Sequence, residues 1–180
     1  MSVAFQRRID RVVGSALCAF LSLFCRPPLR PTDRPAPRSV LVVLLSEMGS
    51  LVLAHGLFEY LAKQYPDASL HLLTFERNRP ILEALQPLPR ESIVYVNGES
   101  VIKLALQSVA AVGKLRRRGI DTSLDCELFS RVSSILSVLS GASVRAGFHP
   151  FTQEGLYRGK LINLPVQYNP YCHISEQFVT

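Results

Sequence analysis

The sequence predicts an α/β domain built on a doubly wound parallel sheet, preceded by a basic amphipathic helix. Three observations carry this. Ser39 to Leu45 (SVLVVLL) has no charge and is dominated by branched apolar side chains, the pattern of a strand buried on both faces at the centre of a parallel sheet. A small polar turn, Ser46-Glu47-Met48-Gly49-Ser50, then opens Leu51 to Tyr65 (LVLAHGLFEYLAKQY), whose apolar residues recur at helical spacing. Beyond it, strand-like and helix-like segments alternate with short links, which implies right-handed crossovers and a parallel sheet. A chain of 180 residues with 48% apolar content can fill one core.

The first residues differ in character from the rest. Of the net charge of +6, residues 1–38 hold +5, from Arg7, Arg8, Arg11, Arg26, Arg30, Arg34 and Arg38 against Asp10 and Asp33. The arginines bracket an apolar run, Val12 to Cys25 (VVGSALCAFLSLFC), which is shorter than the roughly 20 residues a membrane-spanning helix needs. On a helix, Arg8, Arg11, Ser15, Ser22 and Arg26 share a narrow sector and Val12, Val13, Leu17, Phe20, Leu21, Leu23 and Phe24 cover the remainder. That describes residues 1–26 as a helix lying on a membrane surface with its arginines toward anionic lipid. Two alternatives stay open: a helix docked on the body of the protein, and a cleaved secretory signal, against which Cys25-Arg26-Pro27-Pro28 offers no small-residue cleavage site. Residues 27–38 (PPLRPTDRPAPR), with five prolines, read as an extended linker. Residues 39–180 form the α/β domain.

Within that domain Tyr65-Pro66-Asp67-Ala68 is a turn and Ser69 to Phe75 (SLHLLTF) a second strand. Arg79 to Leu85 is a brief helix closed by Pro87 and Pro89, and Glu91 to Val96 a third strand. Ser100 to Arg118 is a long helix whose basic last turn, Lys114 and Arg116 to Arg118, complements its dipole. Gly119 breaks it. Ile120 to Cys126 is a fourth strand, Ser130 to Leu139 a helix ended by Gly141, and Val144 to Phe148 a fifth strand.

Open parallel sheets bind ligands beyond the carboxyl ends of their strands. This edge gathers Ser46, Glu47, Met48, Gly49 and Ser50 after strand one; Glu76, Arg77 and Asn78 after strand two; and Asn97 and Gly98 after strand three. Asp125, Glu127 and Arg131 follow strand four and His149 follows strand five. The turn after strand one aims unpaired backbone N–H groups at one spot, where an anion or an anionic sugar derivative fits, unless Ser46 and Ser50 only cap the helix. A carboxylate beside a bound hydroxyl can serve as general base. Asp125, Glu127 and Arg131 equally make an ion pair or a helix cap.

Several chemistries are missing. There is no G-x-G-x-x-G, no P-loop and no G-x-S-x-G. No basic patch interleaved with aromatics follows residue 38, which argues against nucleic acid as a partner. Cys18, Cys25, Cys126 and Cys172 are scattered, with neither zinc spacing nor a disulfide framework, and fit a reducing compartment.

The strand followed by Ser46-Glu47-Met48-Gly49-Ser50-Leu51 resembles the first strand-to-helix turn of family 9 glycosyltransferases, the ADP-heptose:lipopolysaccharide heptosyltransferases, in which a strand leads into S-x-(M/L)-G-D. Leu57, Leu61 and Tyr65-Pro66-Asp67-Ala68 resemble the continuation. Asp125, Glu127, Phe129, Ser130 and Arg131, then Ser140-Gly141-Ala142 and Arg145-Ala146-Gly147-Phe148, resemble a later signature of that family. Gly155 to Gly159 and Tyr168 to His173 are similar to the stretch approaching the interdomain linker in some members.

The resemblance implies the N-terminal, acceptor-side half of a two-domain GT-B enzyme. A nucleotide sugar would be held by a C-terminal half absent from this chain, the acceptor would be a lipopolysaccharide core or other glycolipid, and no metal would be needed. It also implies a cytoplasmic protein, peripheral on the inner membrane. The family's base is the aspartate after the glycine, where this sequence has Ser50. A serine needs a base of its own, which leaves Glu47 as candidate base. Gly49 and Ser50 are then donors to the acceptor, and Ser46, Met48, Asp125, Glu127, Arg131 and His149 line the crevice. The alternative is a non-catalytic, membrane-attached binding or scaffold domain that retains the fold.

Overall fold

The computed structural model describes residues 10–25, 36–45, 48–98, 100–128, 130–149 and 158–179. Six strands form one all-parallel sheet: β1 (Ser39–Val43), β2 (Ser69–Phe75), β3 (Ile93–Val96), β4 (Thr122–Asp125), β5 (Val144–His149) and β6 (Leu164–Gln167). Their order is β3-β2-β1-β4-β5-β6, so the chain steps outward from β1 in one direction and then in the other. This is the doubly wound arrangement that the alternation predicts.

β1 is buried along its whole length because it lies between β2 and β4, with Val42 beside Leu72 on one flank and Leu124 on the other. Its alternate side chains enter two cores. Val40, Val42 and Leu44 face α2 (Met48–Leu53), α3 (His55–Gln64) and α4 (Arg79–Leu85), where Leu51, Leu57, Phe58, Leu61 and Leu82 are buried. Leu41, Val43 and Leu45 face α5 (Val101–Arg117) and α6 (Arg131–Leu139), meeting Ala111, Leu115 and Leu136. Period-two alternation on a central strand thus supplies both layers.

Three departures from the sequence reading have local causes. The helix expected from Leu51 to Tyr65 starts earlier, at Met48, and is interrupted at Ala54, ahead of the poor helix former Gly56. β6 was not foreseen, because Leu164-Pro165-Val166-Gln167 is short and carries a proline. It occupies the sheet edge, where a missing N–H is tolerated. α7 (Ile174–Gln177) was likewise unforeseen, and Phe178 beyond it packs on the first core.

Beside β4, β5 and β6, on the α3 side, the sheet forms one wall of a cavity of about 460 Å³. Its lining is mostly apolar and includes Leu57, Leu61, Leu124, Ala146, Leu164 and Phe178.

The N-terminal helix consists of a π-helical turn, Asp10–Gly14, running into α1 (Ser15–Ser22). Of the expected linker, residues 27–35 lie outside the described residues. α1 packs beside α6, and a stripe of small residues, Gly14, Cys18 and Ser22, is turned inward, Cys18 and Ser22 meeting Gly159 and Lys160. Cys18 is fully buried, and the Ser22 hydroxyl donates to Cys18 O and accepts from Lys160 N at 2.8 Å. Ser22 therefore faces the protein rather than lipid headgroups, because a close helix contact needs small side chains and its hydroxyl finds partners inside. Gly159 completes the seam with φ of 58°, where a Cβ would come within 2.0 Å of Ser22 Oγ. On its other sides the helix exposes Val12, Val13, Leu17, Phe20, Leu23 and Phe24. Among the described residues, no helix is long and apolar enough to cross a membrane.

Candidate functional site

In a doubly wound sheet the crevice for ligands opens where the strand order reverses, because the helices on either side of that point diverge to opposite faces. Here the reversal lies between β1 and β4. The chain leaving β1 turns into α2 on one face, and the chain leaving β4 turns into α6 on the other.

Glu127 spans this point: its Oε1 accepts from Leu45 N at 2.6 Å. The bond ties Leu45, just beyond β1, to the loop after β4. Glu127 N in turn donates to Asp125 Oδ1 at 3.2 Å.

Ser46 and Glu47 lie outside the described residues. Met48, Gly49 and Ser50 form the first turn of α2; Met48 and Gly49 are exposed and Ser50 half-buried. A Cβ added at Gly49 would meet nothing within 4 Å, so this stretch of backbone stands open to close approach. His149 ends β5 at the same edge of the sheet.

Asp125 and Arg131 are inside the fold. The Asp125 carboxylate accepts from Ser134 Oγ at 2.7 Å and from Arg158 Nη1 at 3.4 Å, and Arg158 also donates to Phe148 O and Ser134 Oγ. Burial pushes the Asp125 carboxyl up to about 6, outweighing the nearby Arg158 cation and the serine hydroxyls, which act the other way. This group pins β4, α6 and the segment after β5 together. The ion-pair alternative is the arrangement found for Asp125, and its partner is Arg158 rather than Arg131. Arg131 opens α6 as a buried cation. Ser130, expected as the first helical residue, instead caps that helix by accepting from Ser133 N.

The remaining edge residues are held locally. Glu76 pairs with Arg79 at 2.7 Å, Arg77 lies 5.0 Å from the Phe75 ring centre, and Asn97 N donates to Gln107 Oε1 at 2.6 Å. Gly98 is tight against Phe75, where a Cβ would sit 2.9 Å from the ring. Among the described residues, no three His, Cys, Asp or Glu side chains gather into a group that could hold a metal ion.

Sequence reasoning missed Arg158 and the bridging role of Glu127. Arg158 stands 33 positions from Asp125. Its only signal was an arginine beside Gly159, in a stretch with no periodicity.

No protein-family model matches the sequence, and a search of curated proteins gives no match. Solved structures do match. Heptosyltransferase WaaC from E. coli, in complex with ADP, superposes with a TM-score of 0.61 at 18% identity over 78% of this chain and 44% of its own. The chain shares the fold of one part of this glycosyltransferase. ADP-heptose lipopolysaccharide heptosyltransferase II from E. coli shares this fold, at a TM-score of 0.60 and 18% identity over 78% of this chain and 39% of its own. A family 9 glycosyltransferase from Veillonella parvula gives a TM-score of 0.61 at 14% identity over 79% and 39%. The chain thus spans less than half the length of the glycosyltransferases it matches, and supplies one Rossmann-like sheet of that fold.

Proposed function

We propose that this chain is the acceptor-side half of a heptosyltransferase-like inverting glycosyltransferase. It moves a sugar from a nucleotide-sugar donor to a lipopolysaccharide-core or other glycolipid acceptor while attached to the cytoplasmic face of the inner membrane. The observation that carries this reading is the reversal of strand order between β1 and β4, the place where open parallel sheets take their ligands. The sequence that follows β1 resembles the family motif, and Glu127 joins Leu45, at the end of β1, to the loop after β4 in a sheet that superposes on glycosyltransferases.

Glu47 takes the proton from the acceptor hydroxyl, and Gly49 and Ser50 donate to the acceptor. Ser46, Met48 and His149 border it. Glu127 and, from within the fold, Asp125 and Arg131 hold the loops in place. The donor belongs to the complementary half, and the resemblance calls for no metal. Because transfer depends on donor and acceptor being held in one cleft, this half alone binds acceptor without turning it over.

Titrating the chain with a lipopolysaccharide inner-core acceptor should shift the amide resonances of Gly49, Ser50 and Glu127 first. Unchanged spectra overturn the reading. In a protein carrying both halves, Glu47→Gln should lower kcat about a hundredfold or more, as loss of a general base does. Ser50 in place of the family's aspartate favours a second reading, a binding domain without catalysis. Acceptor binding combined with no transfer by the two-half protein would select it.

A further inference from the structure

α5, α6 and α1 form one layer over one side of the sheet: α5 and α6 pack on the same core, and α1 lies beside α6. The outer surface of this layer is apolar well beyond α1. On α5, Leu106 and Val109 are 69% and 73% exposed, three positions apart and therefore on one stripe, while Leu115 and Ala111 turn inward. On α6, Ile135 and Val138 are half-buried. On α1, Phe20 and Phe24 stack edge to face at 5.4 Å and both are exposed.

The charge of this layer is one-sided. α5 carries Lys103, Lys114, Arg116 and Arg117 and no acidic residue, α6 has none, and the N-terminal helix has only Asp10, in its first turn. The opposite layer is balanced: α3 holds Glu59 and Lys63, and α4 holds Arg79 and Glu83. Exposed apolar side chains set among basic residues, with acidic ones left out, match the surface of an anionic bilayer, whose headgroups attract the cations while the interface takes up the apolar groups.

We propose that the whole outer surface of the α5–α6–α1 layer, rather than the N-terminal helix alone, is the membrane-facing side of the protein. Leu106 and Val109 enter the headgroup region together with Phe20 and Phe24, and Lys114, Arg116 and Arg117 meet lipid phosphates. This rests on the membrane attachment proposed above and adds its contact surface and orientation. One layer of helices then separates sheet from bilayer. The carboxyl edge faces sideways, about one helix diameter (roughly 10 Å) above the headgroups, within reach of the sugar of a lipid-linked acceptor.

The test uses the full chain and vesicles of equal parts phosphatidylcholine and phosphatidylglycerol. L106S/V109S should lower vesicle binding about tenfold, as should F20S/F24S, with far-ultraviolet dichroism unchanged and binding to pure phosphatidylcholine weak throughout. The sequence contains no tryptophan, so L106W is a lone reporter whose emission should shift to the blue on adding anionic vesicles, and it reads the surface even if the double variant fails to fold. If F20S/F24S abolishes binding while L106S/V109S binds as wild type and L106W emission stays fixed, attachment stands and this inference falls. If the unaltered chain binds no vesicles, the attachment reading falls first and this one with it. A wild-type dimer in solution that L106S/V109S converts to monomer assigns the surface to a second copy and likewise overturns the inference.

Discussion

Leu57 and Leu106 are the same residue on helices flanking the same sheet, yet Leu57 is 3% exposed and Leu106 is 69% exposed. The contrast extends to the whole layers. α2, α3 and α4 hold to the sheet through large apolar side chains, and their charges are paired at the surface, as in Glu76 with Arg79 and Glu83 with Arg90. α6 sets Leu136 into the core, but it and α1 are held also by small and polar groups. Ser137 meets Ser123 at 3.0 Å, Ser134 meets Asp125, Arg116 Nε donates to Leu139 O, and Ser22 meets Lys160. A helix seated on serines and glycine comes close to its neighbour without spending its large side chains inward. On α1, Leu17 and Phe20 are then left on the outside, where water is a poor partner for them.

The comparison can be broken in four places. The largest effect is expected for Asp125→Ala, which leaves Arg158 buried without its carboxylate and should cost about 3–5 kcal/mol in chemical denaturation. A loss under about 1 kcal/mol would mean that the ion pair does not hold the second layer. The sign of its pH dependence also follows. The folded-state carboxyl is raised from its ordinary 3.8 to about 6, so the folded protein holds this proton more tightly than the unfolded chain. Its contribution to stability is fully present below about pH 4 and is lost as pH rises through 6. Urea midpoints from pH 4 to 7 should show this decline in wild type and lack it in Asp125→Asn.

Next is Leu57→Ala in the apolar layer, expected to cost about 3 kcal/mol through the cavity it leaves. Gly159→Ala should cost about 1–2 kcal/mol from left-handed backbone alone. Because its methyl collides with Ser22, it should also speed amide exchange across Ser15–Ser22 while exchange in α3 stays unchanged. Equal protection in both helices would show that the seam does not hold α1. The smallest effect belongs to Leu106→Ala, within about 0.5 kcal/mol in water. A loss matching that of Leu57→Ala would erase the distinction between the layers.

How far the sequence foretold this depended on whether a segment's environment is written locally. β2 and α4 fall at the expected residues, and β1 begins where expected, because uninterrupted apolar runs and flanking turns set them. Gly119 ends α5 as anticipated. What sequence could not show was inside-outside choice on a helix apolar all round: Ser15 and Ser22 look like a water-facing stripe until Gly159 and Lys160, far along the chain, claim Ser22 for the interior. The candidate site divides the same way. The turn after β1 and the edge residues follow from strand order, whereas the engagement of Glu127 with Leu45 N and of Asp125 with Arg158 depends on long-range contacts that no local pattern records.

The bond between Lys160 N and Ser22 Oγ joins residues 138 positions apart. During synthesis α1 is made well before Gly159 and Lys160, so its seat is not finished until they have been translated. Through that interval Cys18 and Ser22 lack the part of their seat that Gly159 and Lys160 supply. The order of synthesis therefore leaves this contact to be made late, and the finished fold takes up only the small-residue side of the helix while Phe20 and Phe24 stay exposed.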